Sequence, residues 1–194
     1  DAPLQSYGFD TSDPLNTTLV GARLSDRPSS WLNWKALNVN AVAPVGDFAT
    51  RTITWPGLWA NADLSWQAGA HKVAKLVTLA APGHPDAFGF SLRLAPGHDA
   101  ELVGGSYLVI RDPQGNEVMR TRPVHGWDSS GDALTRRAIR VTLEERAPVT
   151  VRGRQLRTFW LVPNVDDLAA ATYPVTLDPT TTISGTTNID DASL

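Results

Sequence analysis

The chain has 194 residues, 17 Lys+Arg against 20 Asp+Glu, a formal net charge of −3 and no cysteine. Its length and 42% hydrophobic content fit one globular domain or two small ones. The near-balanced charge gives no bias toward nucleic acid or an acidic membrane. The missing cysteines exclude disulfides, thiolate metal sites and cysteine nucleophiles, and no apolar run approaches the roughly 18 residues of a membrane helix.

Asp outnumbers Glu sixteen to four and Gly plus Pro reach 29 residues, a mixture that favours turns over helices. The chain starts at Asp1, which fits a removed leader or a start inside a longer precursor. Residues 1 to 16 are polar with Pro3 and Pro14 and read as an N-terminal arm. Strands are expected at Leu19–Leu24, Trp31–Val39, Arg51–Trp55, Ala62–Gln67, His71–Leu79 and Phe88–Leu94. In the last of these Phe88, Phe90, Leu92 and Leu94 alternate with Gly89, Ser91 and Arg93, one dry face and one wet.

Asp112-Pro113-Gln114-Gly115-Asn116 supplies a Pro corner and a Gly for positive φ, predicting a hairpin between Ser106–Arg111 and Glu117–Arg120. Further strands are expected at Ala138–Leu143, Val149–Arg152, Leu156–Val162 and Tyr173–Leu177. Only Val165–Ala171 reads as helix, with Asn164 as N-cap and Asp166 and Asp167 in its first turn. Residues 179 to 194 are Thr-rich and form a C-terminal arm or a linker to a following module, although Thr180–Ile183 has strand propensity and suits the edge of another sheet. The expectation is an all-β chain of about ten strands, an antiparallel β-sandwich of jelly-roll or immunoglobulin-like type spanning 17–178, with one short helix.

Two stretches carry a family resemblance. Residues 53–66, ITWPGLWANADLSW, followed by Lys72–Leu79 and Phe88–Leu94, place an aromatic-rich hairpin before a basic strand and a Phe-x-Phe strand. Ala171–Thr180 reads ATYPVTLDPT. Together they resemble the β-rich module that precedes DNRLRE-type domains in bacterial cell-surface proteins, Rhs/YD-repeat proteins and phage structural proteins. The resemblance implies an extracellular, cell-surface or virion scaffold, with no catalytic residues to carry over.

Five of the seven tryptophans, Trp31, Trp34, Trp55, Trp59 and Trp66, fall within 36 residues. They suit core packing, an assembly interface, or a platform on which a pyranose stacks. Trp31 and Trp34 are three apart in one strand and so face opposite sides. Trp31, Trp34 and Trp59 are therefore the candidates for interface or glycan contact.

The histidines His71, His84, His98 and His125 show no metal-binding spacing, and G-x-S-x-G is absent. Asp128-Ser129-Ser130-Gly131-Asp132 is rich in oxygen ligands but lacks the calcium-loop pattern, so neither a metal nor a cofactor is expected. From Arg136 to Arg157 there are seven arginines against two glutamates, a local +5. Arg137, Arg140 and Arg152 are candidates for contact with an acidic partner, against the alternative of a solvated strand face.

The sequence thus points to a non-enzymatic extracellular or virion structural module. It would act on other copies of itself or on neighbouring structural proteins, by strand exchange through its arms. The alternative is a carbohydrate-binding or adhesin module contacting surface glycans through exposed tryptophans. Neither nucleic acid nor membrane insertion belongs to either reading.

Overall fold

The computed structural model describes residues 4–10, 19–24, 31–69, 72–151 and 153–183, with side chains described from residue 32 to 181 within those ranges. The described chain is all-β and antiparallel, with one short helix. A six-stranded sheet contains β1 (Leu4–Asp10), β2 (Leu19–Leu24), β3 (Trp31–Ala36), β8 (Phe88–Leu94), β15 (Arg154–Pro163) and β14 (Val141–Val151), in the order β1-β2-β3-β8-β15-β14.

The larger sheet takes eleven segments. The segments β4 (Val45–Asp47), β5 (Thr52–Trp59), β6 (Ala62–Ala68) and β7 (Lys72–Leu79) form one meander. Beyond β7 come β16 (Val175–Asp178) and β17 (Thr181–Ile183). Farther out lie β11 (Glu117–Thr121) and β12 (His125–Trp127), then β10 (Tyr107–Arg111), β9 (Asp99–Val103) and β13 (Ala138–Ile139).

The described residues form seventeen segments where about ten strands were expected, because β1, β4, β9 and β12 were not read as strands and two pairs of segments are interrupted parts of one path. The pairs Val175–Leu79 and Thr181–Val73 keep a single antiparallel register, so β16 and β17 are one strand along one edge of β7. That register puts Pro179 opposite Lys75, and proline has no N–H to give the ladder. Conversely, the expected strands Ala138–Leu143 and Val149–Arg152 merge into the single β14, which breaks from β13 at Arg140.

Three expectations about the chain ends and helix change. Leu4–Asp10, placed in an arm, pairs with β2 across Tyr7–Ala22 and Phe9–Val20 as an edge strand. Thr181–Ile183 lies inside this chain's own larger sheet, between β7 and β11, rather than on another sheet's edge, and carries the paired chain past the expected boundary at 178. Residues 1–3, 11–18 and 184–194 of the two arms lie outside the described residues. The helix α1 (Val165–Ala169) is two residues shorter than expected; Asn164 caps it, its side chain accepting from the Asp167 N–H.

The two sheets face each other across one aromatic core. From the smaller sheet, Trp34 packs edge-on to Phe90 at 6.3 Å and to Phe159 at 6.2 Å. From the larger sheet, Trp59 meets Phe88 at 5.1 Å and Phe90 at 5.9 Å. Trp55, Trp66, Leu58, Leu64, Val77 and Leu177 complete the layer. The bulge between Trp55 and Trp59 makes this possible: Pro56 and Gly57 break the alternation, Gly57 takes φ +64, and its N–H donates to Asp63 Oδ1 at 2.7 Å. Without the extra residues Trp55, Leu58 and Trp59 could not all face inward.

Candidate functional site

The tryptophans resolve first. Trp34 and Trp59 are 2% and 3% exposed, so neither offers a face to a sugar or a partner; both are core, correcting the expectation drawn from their clustering. The Trp59 indole N–H donates to Leu37 O at 3.0 Å. Trp31 lies in β3, but its side chain is outside the described residues, as is Arg152 altogether. The half-buried Trp160, not singled out in the sequence, stands instead on the outer face of the smaller sheet. It pairs with Gly89 across β15 and β8, and its indole covers that glycine. The Arg146 guanidinium sits 4.8 Å from the Trp160 ring centroid and bonds Glu144 at 2.8 Å. Asn33 and Lys35 of β3 lie on the same outer face, since their neighbours Leu32, Trp34 and Ala36 are buried inward.

Two arginines of the run reach acids distant in sequence. Arg140 grips Asp167 through Nε at 2.8 Å and Nη2 at 2.8 Å, and also bonds Asn164 Oδ1 at 3.0 Å, tying β14 to α1. These contacts hold the Asp167 carboxyl down to about 2, the Arg140 side chain being the largest cause. Arg157 bonds Glu145 at 2.7 Å and Asp99 at 2.9 Å, and also reaches Ala100 O, joining β15 of the smaller sheet to β9 of the larger. Arg137 is exposed, with its backbone N–H donating to Asp128 Oδ1 at 3.0 Å. Glu144 and Glu145 are already counted in the local +5, so Asp99 and Asp167 offset two of those charges and leave +3.

Loop carboxylates are likewise occupied. Asp128, 2% exposed, accepts from Ser130, from Arg137 N and from Thr172 N, and the Ser130 hydroxyl is the main cause holding its carboxyl down to about 2. Asp132 caps the turn by accepting from Leu134 N at 2.9 Å and Thr135 Oγ1 at 3.0 Å. Among the described residues no three His, Cys, Asp or Glu side chains converge.

Lysine 75 is the feature that sequence reading missed. It is 2% exposed, between the sheets, with Nζ 3.9 Å from the Phe90 ring centroid, 4.0 Å from Trp34 and 5.7 Å from Trp66. Burial pushes its amine down to about 7, and the Asp178 carboxylate opposes that shift. The signal existed: strand alternation puts Lys75 in line with buried Val73, Val77 and Leu79.

Among the described residues large apolar side chains stand exposed singly at Leu134 and Val165 and near each other at Val45 and Phe48. Val45, in the short edge strand β4, is 61% exposed, and Phe48, in the turn that follows, is 97% exposed. Asp47 Oδ1 accepts from Ala49 N at 2.9 Å and fixes this turn, so Phe48 is presented on an ordered β4–β5 corner.

The fold and these surfaces define an antiparallel two-sheet β protein with an aromatic core. No family model matches the sequence, and no curated protein is detectably similar to it.

Proposed function

We propose that the chain is a non-enzymatic structural module of an extracellular, cell-surface or virion assembly, working through contacts with other copies of itself or with neighbouring structural proteins. The observation that carries this reading is the Val45–Phe48 corner. A short edge strand with exposed Val45, followed by a turn that presents Phe48, is what an added strand or an apposed subunit covers. The resemblance to modules that precede DNRLRE-type domains supports the same setting. The contact is assigned to β4 rather than to the C-terminal arm because Thr181–Ile183 is already paired on both sides by β7 and β11. The test is the mass in solution of the full chain and of Phe48→Asp, by size-exclusion chromatography with light scattering.

A second reading, carbohydrate binding, is favoured by Trp160 rather than by the tryptophans first singled out. A half-buried indole lying on a sheet, with Arg146, Glu144, Asn33 and Lys35 on the same face, offers one flat apolar surface beside polar groups. Quenching of tryptophan fluorescence by oligosaccharides, lost in Trp160→Ala, would support it; no response from the wild type would remove it.

A further inference from the structure

We infer that the strand β16–β17 is a releasable clasp on the larger sheet, and that gain of charge on Lys75 loosens it. The inference stands apart from the Val45–Phe48 contact. Its basis is the coincidence, at one place, of a buried amine and the one break in the strand that covers it. Along the edge of β7, Leu177 and Thr181 are in register with Val77 and Val73, and between them Asp178–Pro179–Thr180 leaves the ladder open beside Lys75. Asp178 Oδ1 turns to its own strand, accepting from the N–H and hydroxyl of Thr180. β17 itself is three residues long.

The surroundings of Lys75 favour an uncharged amine. The groups facing it are Trp34 from β3, Phe90 from β8 and Trp66 from β6, and the charge acting on it is Asp178 of β16. Nε1 of Trp34 and Nε1 of Trp66 are buried without an acceptor, and a neutral amine keeps one lone pair beside its two N–H groups whereas an ammonium has three N–H donors and no acceptor. Thr181 Oγ1, on β17, is also buried without a partner. Aromatic faces attract a cation but do not accept its hydrogen bonds as water does, so a charged Lys75 recruits water. The residue opposite Lys75 in register, Pro179, has no N–H to close the ladder there.

The sign follows from the depressed value. The unfolded lysine titrates near 10.5 and the folded one near 7, so the unfolded state binds more protons between these limits. The clasp is most stable at the alkaline end of that window, weakens as pH falls through it, and stays weak below about 7.

The experiment is hydrogen exchange of the full chain at about pH 6 and about pH 8.5, corrected for intrinsic rates, on wild type and Lys75→Met. In the wild type, protection of amides 72–76 and 180–183 should fall about tenfold on acidification, and in Lys75→Met it should stay constant within about twofold. Equal losses in both proteins, an unchanged wild type, or a loss spread evenly over both sheets would overturn the proposal. Should Lys75→Met fail to fold, the wild type decides: loss of protection at amides 180–183 with the same pH midpoint as the NMR titration of the Lys75 ε-methylene sustains the clasp, and protection that does not follow that titration ends it.

Discussion

The indole of Trp160 lies on the backbone of Gly89: a methyl group at residue 89 would stand 2.8 Å from three of its ring carbons. The glycine is there for this close approach, its φ not being positive. Gly89→Ala should displace the indole and destabilise the protein by about 1–3 kcal/mol, the range for overpacking. In Trp160→Ala the same substitution should cost much less, because the clash is gone. Denaturant melts of the four proteins check this; additive effects would contradict it.

Arg157 fastens the two sheets at one end, holding Glu145 on its own sheet and Asp99 and Ala100 O on the other. Its guanidinium also lies 5.2 Å from the Phe159 ring centroid. Arg157→Met should cost about 1–3 kcal/mol, since the Ala100 carbonyl and both carboxylates lose a charged donor. Arg157→Lys should recover only part of the loss, because an ammonium cannot reproduce the forked geometry. Full recovery with lysine, read as Tm, would argue against that geometry.

Acid stability should report on the loop that joins β12 to β13. The folded value of Asp128 lies near 2, below its ordinary 3.8, so its stabilisation is complete above the ordinary value and is lost as pH falls toward 2. Asp128→Asn should lower Tm at neutral pH and flatten the acid limb between those values. An acid limb as steep as the wild type's would show that the carboxylate does not anchor this loop.

Much of the fold was legible in residues whose pattern is local. Phe88–Leu94 was delimited to the residue by its alternation, and Asp112–Asn116 gave the hairpin because turn chemistry is set within five positions. The strands β4, β9 and β12 have three to five residues and no clean alternation, and they exist because neighbours pair with them. Core tryptophans such as Trp34 and Trp59 could not be separated from surface ones such as Trp160, because alternation tells which residues share a face and not which face the other sheet covers. The arginine run was legible only in part because Asp99 and Asp167 lie 58 residues before Arg157 and 27 after Arg140.

Lys75 sits where its strand's alternation demands an apolar residue. Substitution by Met, of similar length and without charge, should raise Tm near pH 7 and make it nearly independent of pH from 7 to 9, whereas the wild type should rise across that range. A destabilised Lys75→Met with an unchanged pH profile would mean that the cation packed on Trp34 and Phe90 is net stabilising.

The most direct test of the structural-module account is the solution mass of the full chain over a hundredfold concentration range, beside Phe48→Asp. At 97% exposure Phe48 contributes little to folding, so the variant should keep its stability to within about 0.5 kcal/mol. The account predicts that the wild type grows into defined oligomers and that Phe48→Asp remains a folded monomer. A wild type that stays monomeric throughout, or a variant that assembles equally well, would contradict self-assembly through the Val45–Phe48 corner.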